Sequence, residues 1–290
     1  MIIDCHYHLE PRIQTVDNLL KKMDKNGIKK TALMATMCDP LPHTPEFLLK
    51  LLRVFLSHRP VRGLAKALAA NFTPEGDLKL PKGVISVYKD PDNQKVAEAI
   101  KEHPNRFLGW IFVNPAGKND PSTEYEKWKD VPGFIGVKAH PFWHRYQPER
   151  LLPIAEKLAE DGKPLLIHAG FDDHGEFLGL IQKCPKLKLI LAHTGFPEYS
   201  DTWKAIKQYS NIYVDCSADA YVNEKATRQV VEFLGVERCL YGSDGPYGQV
   251  ADDGVFDNGK IKSRIEALFP DSGIQKKLLG ANFIELAGLA

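Results

Sequence analysis

The sequence predicts an α/β fold, a (β/α)8 barrel with a helical excursion between its second and third strands. Eight short apolar runs alternate with longer amphipathic stretches along the chain, and strands that alternate with helices form parallel sheets with right-handed crossovers. The length of 290 residues suits one barrel of about 250 residues, so we expect a single domain over 1–290. A doubly wound open sheet is the main alternative.

The eight strand candidates and the helix candidates between them follow in order along the chain. The strand candidates are Met1–Cys5, Thr31–Thr36, Phe107–Val113, Gly133–Ala139, Pro164–His168, Leu187–His193, Ile212–Asp215 and Cys239–Gly242. The helix candidates are Thr15–Asn26, Asn93–His103, Glu149–Asp161, Gly175–Lys183, Asp201–Tyr209 and Asn223–Leu234. In a barrel, all strands deliver their carboxyl ends to one rim. Side chains at these ends should therefore meet although they are distant in sequence.

Residues 37–90 interrupt the alternation. Thr44-Pro45-Glu46 resembles a helix start, with a capping threonine, a proline at the first helical position and an acid in the first turn. The segment is basic through Lys50, Arg53, Arg59, Arg62 and Lys66. We expect helices packed over the barrel or against a second subunit, which leaves a homodimer open. A lid that supplies a cation to an anionic substrate and a helix on a membrane surface are the alternatives.

The composition excludes several classes of protein. It is that of an ordinary enzyme, with 43% hydrophobic and 26% charged residues, and 38 basic against 37 acidic residues give no argument for nucleic-acid or membrane partners. Polar residues within the first ten positions argue against a signal peptide, and no apolar run approaches the roughly 20 residues of a membrane span. Five cysteines without a CxxC pair predict reduced thiols and favour a cytoplasmic protein.

Histidines and an aspartate occur at the ends of four strand candidates. His6 and His8 follow the first run with one residue between them, and residues i and i+2 of a strand point to the same face. His168 and His193 end the fifth and sixth runs, and Asp244 follows the eighth. A single strand-terminal histidine is more often a core residue than a ligand. Their joint occurrence predicts a divalent metal site, since Zn²⁺ accepts imidazole nitrogen and carboxylate oxygen.

These residues and their surroundings resemble the amidohydrolase superfamily, in its amidohydrolase-related branch of metal-dependent hydrolases and decarboxylases. The resemblance lies in Ile3–His8, Gly136–Pro141, Leu166–Gly170, Leu191–Gly195, Tyr241–Asp244 and Leu278–Phe283. It implies that His6, His8, His168 and Asp244 bind the metal. It also implies that His193 is an acid or base beside the metal, or a ligand of a second ion. One Zn²⁺ ion is the expected cofactor, with another divalent metal or a second ion as options.

Further residues are candidates for contact with the substrate. Binuclear members of the superfamily carry a carboxylated lysine on strand four, and Lys138 lies there with His140 on the same face. Lys138 is therefore a candidate for carbamylation, for substrate contact or for a salt bridge. Arg145, just past that strand, could hold a substrate carboxylate together with His144. Asp215 ends the seventh run and is a candidate for substrate contact or for capping a loop.

The chemistry expected of this set is hydrolysis of a small amide, lactone or ester by metal-activated water. A metal lowers the pKa of its bound water to about 7. Asp244 would move the proton, and His193 would steady the oxyanion or the leaving group. The alternative is a nonoxidative decarboxylase or hydratase of an unsaturated carboxylic acid, at the same ligands. A scaffold with a decayed site is less favoured, because no ligand is missing. A metal-free lactonase is a further alternative, which elemental analysis of the purified protein would decide. The expected partner is a small molecule, with a carboxylate-bearing one as an option.

Overall fold

The computed structural model describes residues 1–41, 45–69, 71–80, 83–248, 250–251 and 253–289. Its strands are β1 (Ile3–Leu9), β2 (Lys30–Ala35), β3 (Leu78–Leu80), β4 (Gly83–Ile85), β5 (Phe107–Phe112), β6 (Phe134–Ala139), β7 (Pro164–Ile167), β8 (Lys188–Leu191), β9 (Ile212–Asp215) and β10 (Cys239–Leu240). Within these described residues, β3 and β4 form an antiparallel hairpin, and the other eight strands form one parallel sheet in chain order.

The sheet closes through β1 and the segment that follows β10. Tyr7 and Gly245 form a parallel bridge. The Cys5 N–H donates to the Tyr241 carbonyl at 3.0 Å, and the His8 N–H donates to the Gly245 carbonyl at 2.6 Å. The first strand therefore pairs on both sides, as a barrel requires. The predicted (β/α)8 barrel is confirmed, and the open doubly wound sheet is not the fold.

Strand β1 is longer than the sequence pattern suggests. It pairs with β2 as far as Leu9 and Ala35, so His6 and His8 lie inside the strand and not beyond its end. The apolar run alone predicts that the strand ends near Cys5. Pairing with neighbours on both sides keeps the following polar residues in the strand. Both histidines stay on one face, as their spacing predicts.

Helices occupy the connections between the barrel strands. They are α1 (Val16–Asn26), α2 (Glu46–Ser57), α3 (Arg62–Ala69), α4 (Asn93–Glu102), α5 (Pro121–Trp128), α6 (Pro141–His144), α7 (Leu152–Glu160), α8 (Leu178–Lys183), α9 (Ser200–Ile206), α10 (Glu224–Leu234), α11 (Gly259–Leu268), α12 (Ser272–Lys276) and α13 (Asn282–Ala287). The six predicted helices correspond to α1, α4, α7, α8, α9 and α10. The pattern does not predict α5, because only Tyr125 and Trp128 of its side chains are buried.

The excursion between β2 and β5 contains α2, α3 and the β3–β4 hairpin. The helices agree with the prediction, and the hairpin is an addition to it. Pro45 is the N-cap of α2 and Glu46 its first residue, one position later than the pattern suggests. Thr44, the predicted cap, lies outside the described residues.

The inner side of the excursion is attached to the carboxyl rim of the barrel. Arg62 lies 3.2 Å from a carboxylate oxygen of Asp201, and Lys66 pairs with Asp172. Arg53 donates to a backbone carbonyl in the loop after β9 at 2.7 Å. These contacts reach the segments that follow β7, β8 and β9, so the excursion packs over the barrel. Its cations Arg53, Arg62 and Lys66 are thereby engaged with the protein itself.

The outer side of α2 is apolar and exposed. Its large exposed side chains are Phe47, Leu48, Leu51 and Val54. Exposed apolar patches are typical of interaction surfaces. The homodimer suggested by these helices stays a prediction.

The remaining expectations concern cysteines and membrane spans. All five cysteines are buried and unpaired, in agreement with the predicted thiols. Across the described part of the chain, we find no helix with both the length and the apolar character needed to span a bilayer.

Candidate metal centre

The barrel brings the five predicted rim residues together. His6 and His8 come from β1, His168 follows β7, His193 follows β8, and Asp244 follows β10. The ring centroids of the histidines lie 5.6 Å apart for His6 and His8, 5.2 Å for His6 and His193, and 4.6 Å for His168 and His193. Residues separated by more than 230 positions thus form one buried cluster.

Asp244 lies at the centre of this cluster. Its Oδ1 is 3.1 Å from His6 Nε2 and 3.4 Å from His8 Nε2, and its Oδ2 is 3.9 Å from His193 Nε2. Burial raises the pKa of Asp244, but the neighbouring histidines more than offset this and hold it well below its usual range. Asp244 is therefore an ionised carboxylate at neutral pH.

The ring of His6 is oriented by Asp215. His6 Nδ1 lies 2.9 Å from Asp215 Oδ2, so Nδ1 donates its proton there and Nε2 faces Asp244. His6 Nε2 is buried without a hydrogen-bond partner. Burial lowers the pKa of His6, and the charge and hydrogen bond of Asp215 raise it further than that. The position between His6 Nε2 and the Asp244 carboxylate therefore favours a cation, either a proton or a metal ion.

The donor set fits a divalent metal. Among the described residues, two groups of three place their ligand atoms within 4.8 Å of one another: His6, His8 and Asp244, and His6, His193 and Asp215. Hydrogen bonds already satisfy Asp215 in the second group. The first group offers two imidazole nitrogens and one carboxylate oxygen, a set that catalytic zinc sites use with one position left open.

His168 belongs to neither group of three. Its Nδ1 lies 2.8 Å from the Ala169 carbonyl and donates to it, which leaves the Nε2 lone pair free to bind a metal. Burial lowers the pKa of His168 well below its usual range, so the ring is neutral. A neutral ring with its proton on Nδ1 suits the predicted role as a metal ligand. That role stays a prediction.

Asp215 is fully buried and its carboxylate is occupied by protein donors. Besides His6, the backbone N–H groups of His193 and Ser217 donate to Oδ1, each at 3.0 Å. Burial raises the pKa of Asp215, and the nearby His6 and the other donors lower it more. These contacts suit a residue that orients others, as carboxylates behind metal-binding histidines do. They give no support to the predicted substrate contact.

Lys138 lies in β6, and His140 follows the last residue of that strand as the N-cap of α6; both side chains are buried. Lys138 is fully buried, and its Nζ has no hydrogen-bond partner in the described structure. Burial lowers its pKa to about 8 against the attraction of Asp215 and Asp244. The Trp143 N–H donates to His140 Nδ1 at 3.1 Å, so the proton of His140 is on Nε2. His140 is thus a neutral donor in the site.

Arg145 lies outside the metal cluster, at the edge of a cavity. The cavity has a volume of about 280 Å³, and its titratable lining residues are Glu75, Lys89, His144, Arg145 and His174. The guanidinium of Arg145 is 5.7 Å from the centre of the Phe72 ring. The His144 ring lies 6.3 Å from that of His140, so one side chain separates this cavity from the site.

Three further residues at the site were not predicted from the sequence. Phe196 lies 5.1 Å from His168, and Tyr221 lies 5.5 Å from His193, as ring-centroid distances. No local pattern separates these aromatics from core residues. Ser217 contacts Asp215 and His193, and here a signal existed: it follows Asp215 at the alternate spacing of His6 and His8.

The backbone is unusual at three of the candidate residues, Arg145, His193 and Asp244. His193 and Asp244 have φ values of 54° and 59°, in the left-handed region that side chains with a Cβ disfavour. Such conformations cost about 1–3 kcal/mol and cluster at functional sites. Their presence at both predicted proton-handling residues supports a functional reading of the cluster.

Comparison with known proteins gives a family match. A family model described as amidohydrolase matches residues 3–286. No curated protein matches the chain.

Solved structures match the fold over almost the whole chain. The 2,6-dihydroxybenzoate decarboxylase from Rhizobium has 15% identity and a TM-score of 0.62, with 99% of this chain and 98% of that one covered. A Pseudomonas putida protein named as a 2-pyrone-4,6-dicarboxylic acid hydrolase has 16% identity and a TM-score of 0.62, covering 99% and 97%. A dihydroxybenzoic acid decarboxylase from Polaromonas, with bound manganese and 2-nitroresorcinol, has the same identity of 16%, TM-score of 0.62 and coverage of 99% and 97%.

Proposed function

Because the chain belongs to the amidohydrolase family, an enzyme family, we propose that it is a metal-dependent hydrolase of a small amide, lactone or ester. The observation that carries the proposal is the convergence of His6 Nε2, His8 Nε2 and Asp244 Oδ1, which lie within 4.8 Å of one another. We assign these three residues and His168 as the metal ligands. Zn²⁺ is the expected ion, and Mn²⁺ is the alternative.

The bound ion would polarise a substrate carbonyl and lower the pKa of a water molecule to about 7. Asp244 is ionised and its Oδ2 faces His193, so it can accept the proton of the attacking water. Burial lowers the pKa of His193 to about 4, which keeps its ring neutral and able to take a proton from Asp244. His140 can donate a hydrogen bond from Nε2, and the Lys138 ammonium adds a positive charge close to Asp215 and Asp244. Both can stabilise an oxyanion.

The test is metal removal and substrate screening. The purified protein is stripped with a chelator, reloaded with Zn²⁺ or Mn²⁺, and assayed on a panel of lactones, esters and amides that includes 2-pyrone-4,6-dicarboxylate. We expect hydrolysis to disappear on stripping and to return with one of the two ions. Hydrolysis by the stripped protein at the full rate would contradict the proposal.

Metal binding should also stabilise the fold. Because the ligands are preformed in the folded state, Zn²⁺ at a hundred times its Kd should add about 2.7 kcal/mol to the free energy of unfolding. The gain should fall as pH falls, since a proton competes for His6 and ligands must be deprotonated. Thermal unfolding with and without Zn²⁺ at several pH values measures this. His8→Ala should lose most of the gain, and His103→Ala, a half-exposed histidine beside α4, should keep it.

A decarboxylase is the second candidate, on one specific observation. Aromatic side chains lie beside the ring of His168: the Phe142 ring is 5.9 Å away and the Phe196 ring is 5.1 Å away, as centroid distances. Such a wall suits a planar unsaturated acid, and two of the solved structures above are named as decarboxylases of dihydroxybenzoic acids. Release of CO₂ from 2,6-dihydroxybenzoate, without incorporation of oxygen from ¹⁸O-labelled water, would favour this reaction over hydrolysis.

Arg145 should affect substrate binding more than chemistry. Arg145 lines the cavity of about 280 Å³ beside the metal cluster and lies outside the cluster itself. For a carboxylate-bearing substrate, Arg145→Ala should raise KM by about 10-fold with kcat within about twofold, which is the loss of one charge-assisted hydrogen bond of about 1.5 kcal/mol. Steady-state kinetics on a carboxylate substrate and on its methyl ester measure the effect. Equal loss with both substrates would contradict a carboxylate contact.

A further inference from the structure

Ser217 is a buried hydroxyl between Asp215 and His193. Its side chain has no exposed surface. Its Oγ is hydrogen-bonded to Asp215 Oδ1 and lies 2.8 Å from His193 Nδ1. A serine hydroxyl donates one proton and can accept others, whereas an ionised carboxylate can only accept. The serine proton therefore goes to Asp215, and the serine lone pair accepts the Nδ1 proton of His193.

The reverse assignment is disfavoured. If Ser217 donated to His193 instead, its oxygen and Asp215 Oδ1 would meet as two acceptors with no proton between them. His6 cannot supply the missing proton. Its Nδ1 already donates to Asp215 Oδ2 at 2.9 Å, and Nδ1 lies 3.4 Å from Ser217 Oγ. One direction of the hydrogen bonds satisfies all four groups.

This direction determines the tautomer of His193. With the proton on Nδ1, the lone pair on Nε2 faces Asp244 Oδ2 at 3.9 Å. We propose that Ser217 is a positioning residue that holds the His193 proton on Nδ1 and so keeps His193 Nε2 a proton acceptor towards Asp244. Without the hydroxyl, the proton of His193 is free to move to Nε2, where it would donate to Asp244 and block proton transfer in the direction that hydrolysis needs. Only this effect on turnover rests on the proposed function.

The same carboxylate orients two rings through two different oxygens. Asp215 Oδ2 binds His6 directly, and Asp215 Oδ1 reaches His193 through Ser217. Ser217→Ala removes the second link and leaves the first intact. His6 therefore serves as an internal reference in every variant.

The first test is NMR of metal-free protein labelled with ¹⁵N-histidine, in which protonated and unprotonated ring nitrogens have distinct shifts. The His193 signals are assigned by their loss in His193→Gln. We expect wild type and Ser217→Thr to carry the His193 proton on Nδ1, and Ser217→Ala to carry it partly or wholly on Nε2. The His6 proton should stay on Nδ1 in all three.

Two NMR outcomes would overturn the proposal. One is a wild-type His193 with its proton on Nε2, a result that needs no folded variant. The other is a Ser217→Ala protein whose His193 tautomer is unchanged. Neither depends on any enzymatic activity, so a failure of the proposed function leaves this test intact.

The second test is turnover of the Zn²⁺-loaded variants with the best substrate of the panel. Ser217→Ala should lower kcat by about 10- to 100-fold, the usual effect of removing a group that orients a residue of a metal site. KM and metal content should stay near wild type, and Ser217→Thr should restore kcat. Thr227→Val removes another fully buried hydroxyl, in α10, and should leave kcat unchanged. An active Ser217→Ala protein with wild-type kcat would contradict the role.

Discussion

Replacement of Asp244 by asparagine is expected to lower kcat/KM by about 10²- to 10⁴-fold, the range found when a general base is removed. The substitution keeps the shape and removes the charge. The carboxylate that lies 3.1 Å from His6 and 3.4 Å from His8 would then neither hold a proton nor balance the charge of a bound ion. The measurement is steady-state kinetics on the metal-loaded protein, with metal content determined in parallel.

The control for this variant is Asp271→Asn. Asp271 caps α12 by accepting the Ile274 N–H at 2.8 Å, and asparagine caps helices equally well. The same chemical change outside the metal cluster should leave kcat/KM unchanged. Full activity of Asp244→Asn with its metal intact would remove Asp244 from the mechanism.

Replacement of Lys138 by methionine is expected to make the metal-free protein more stable and the metal-loaded enzyme less active. The ammonium is fully buried without a hydrogen-bond partner in the described structure. Burial lowers its pKa from 10.5 to about 8, which corresponds to a cost on the order of 3 kcal/mol to the folded state at neutral pH. Methionine has a similar length and no charge. A gain in stability with a loss of turnover is typical of a residue kept for function.

The pH dependence of this effect has a definite sign. Below pH 8 the lysine is protonated in both states, so the full cost is present. Between pH 8 and 10.5 the folded protein releases the proton before the unfolded chain does, and the stability of wild type rises relative to the variant. Urea unfolding at pH 7 and pH 10 should therefore show a large advantage for Lys138→Met at pH 7 and a small one at pH 10.

Lys22 offers a matched control. Its side chain is also buried, but its Nζ lies 2.6 Å from Asp253. Lys22→Met breaks an existing ion pair, so it should be neutral or destabilising by about 1 kcal/mol. If Lys138→Met were destabilising to the same extent at both pH values, Lys138 would be a structural residue, and its assignment to the site would fail.

Much of the candidate site could be predicted because its candidate ligands follow the ends of apolar runs. His6, His8, His168, His193 and Asp244 were recognisable by type and position alone. Parallel strands of a barrel share one rim, so their convergence followed once eight strands were counted. The alternation of strands and helices likewise predicted the fold, since the periods of the two elements differ.

The protonation of the cluster could not be predicted in this way. Whether His140 donates while His168 keeps a free Nε2 depends on the backbone groups that each Nδ1 meets. Arg145 matched a pattern for binding anions, and only the structure places it at a cavity beside the metal cluster, outside the cluster itself. These outcomes depend on loop geometry, where neither period nor strand pairing constrains the sequence.

The sequence by itself determined the barrel, the rim and the residue types gathered there, because hydrophobic periodicity fixes strand order and side-chain face. Only the tertiary structure decided which nitrogen of His6, His140, His168 and His193 carries a proton, that Asp215 orients His6 directly and His193 through Ser217, and that Lys138 is buried without a hydrogen-bond partner among the described residues. Hydrogen bonds and burial join residues far apart in the chain, and these contacts exist only in the closed barrel.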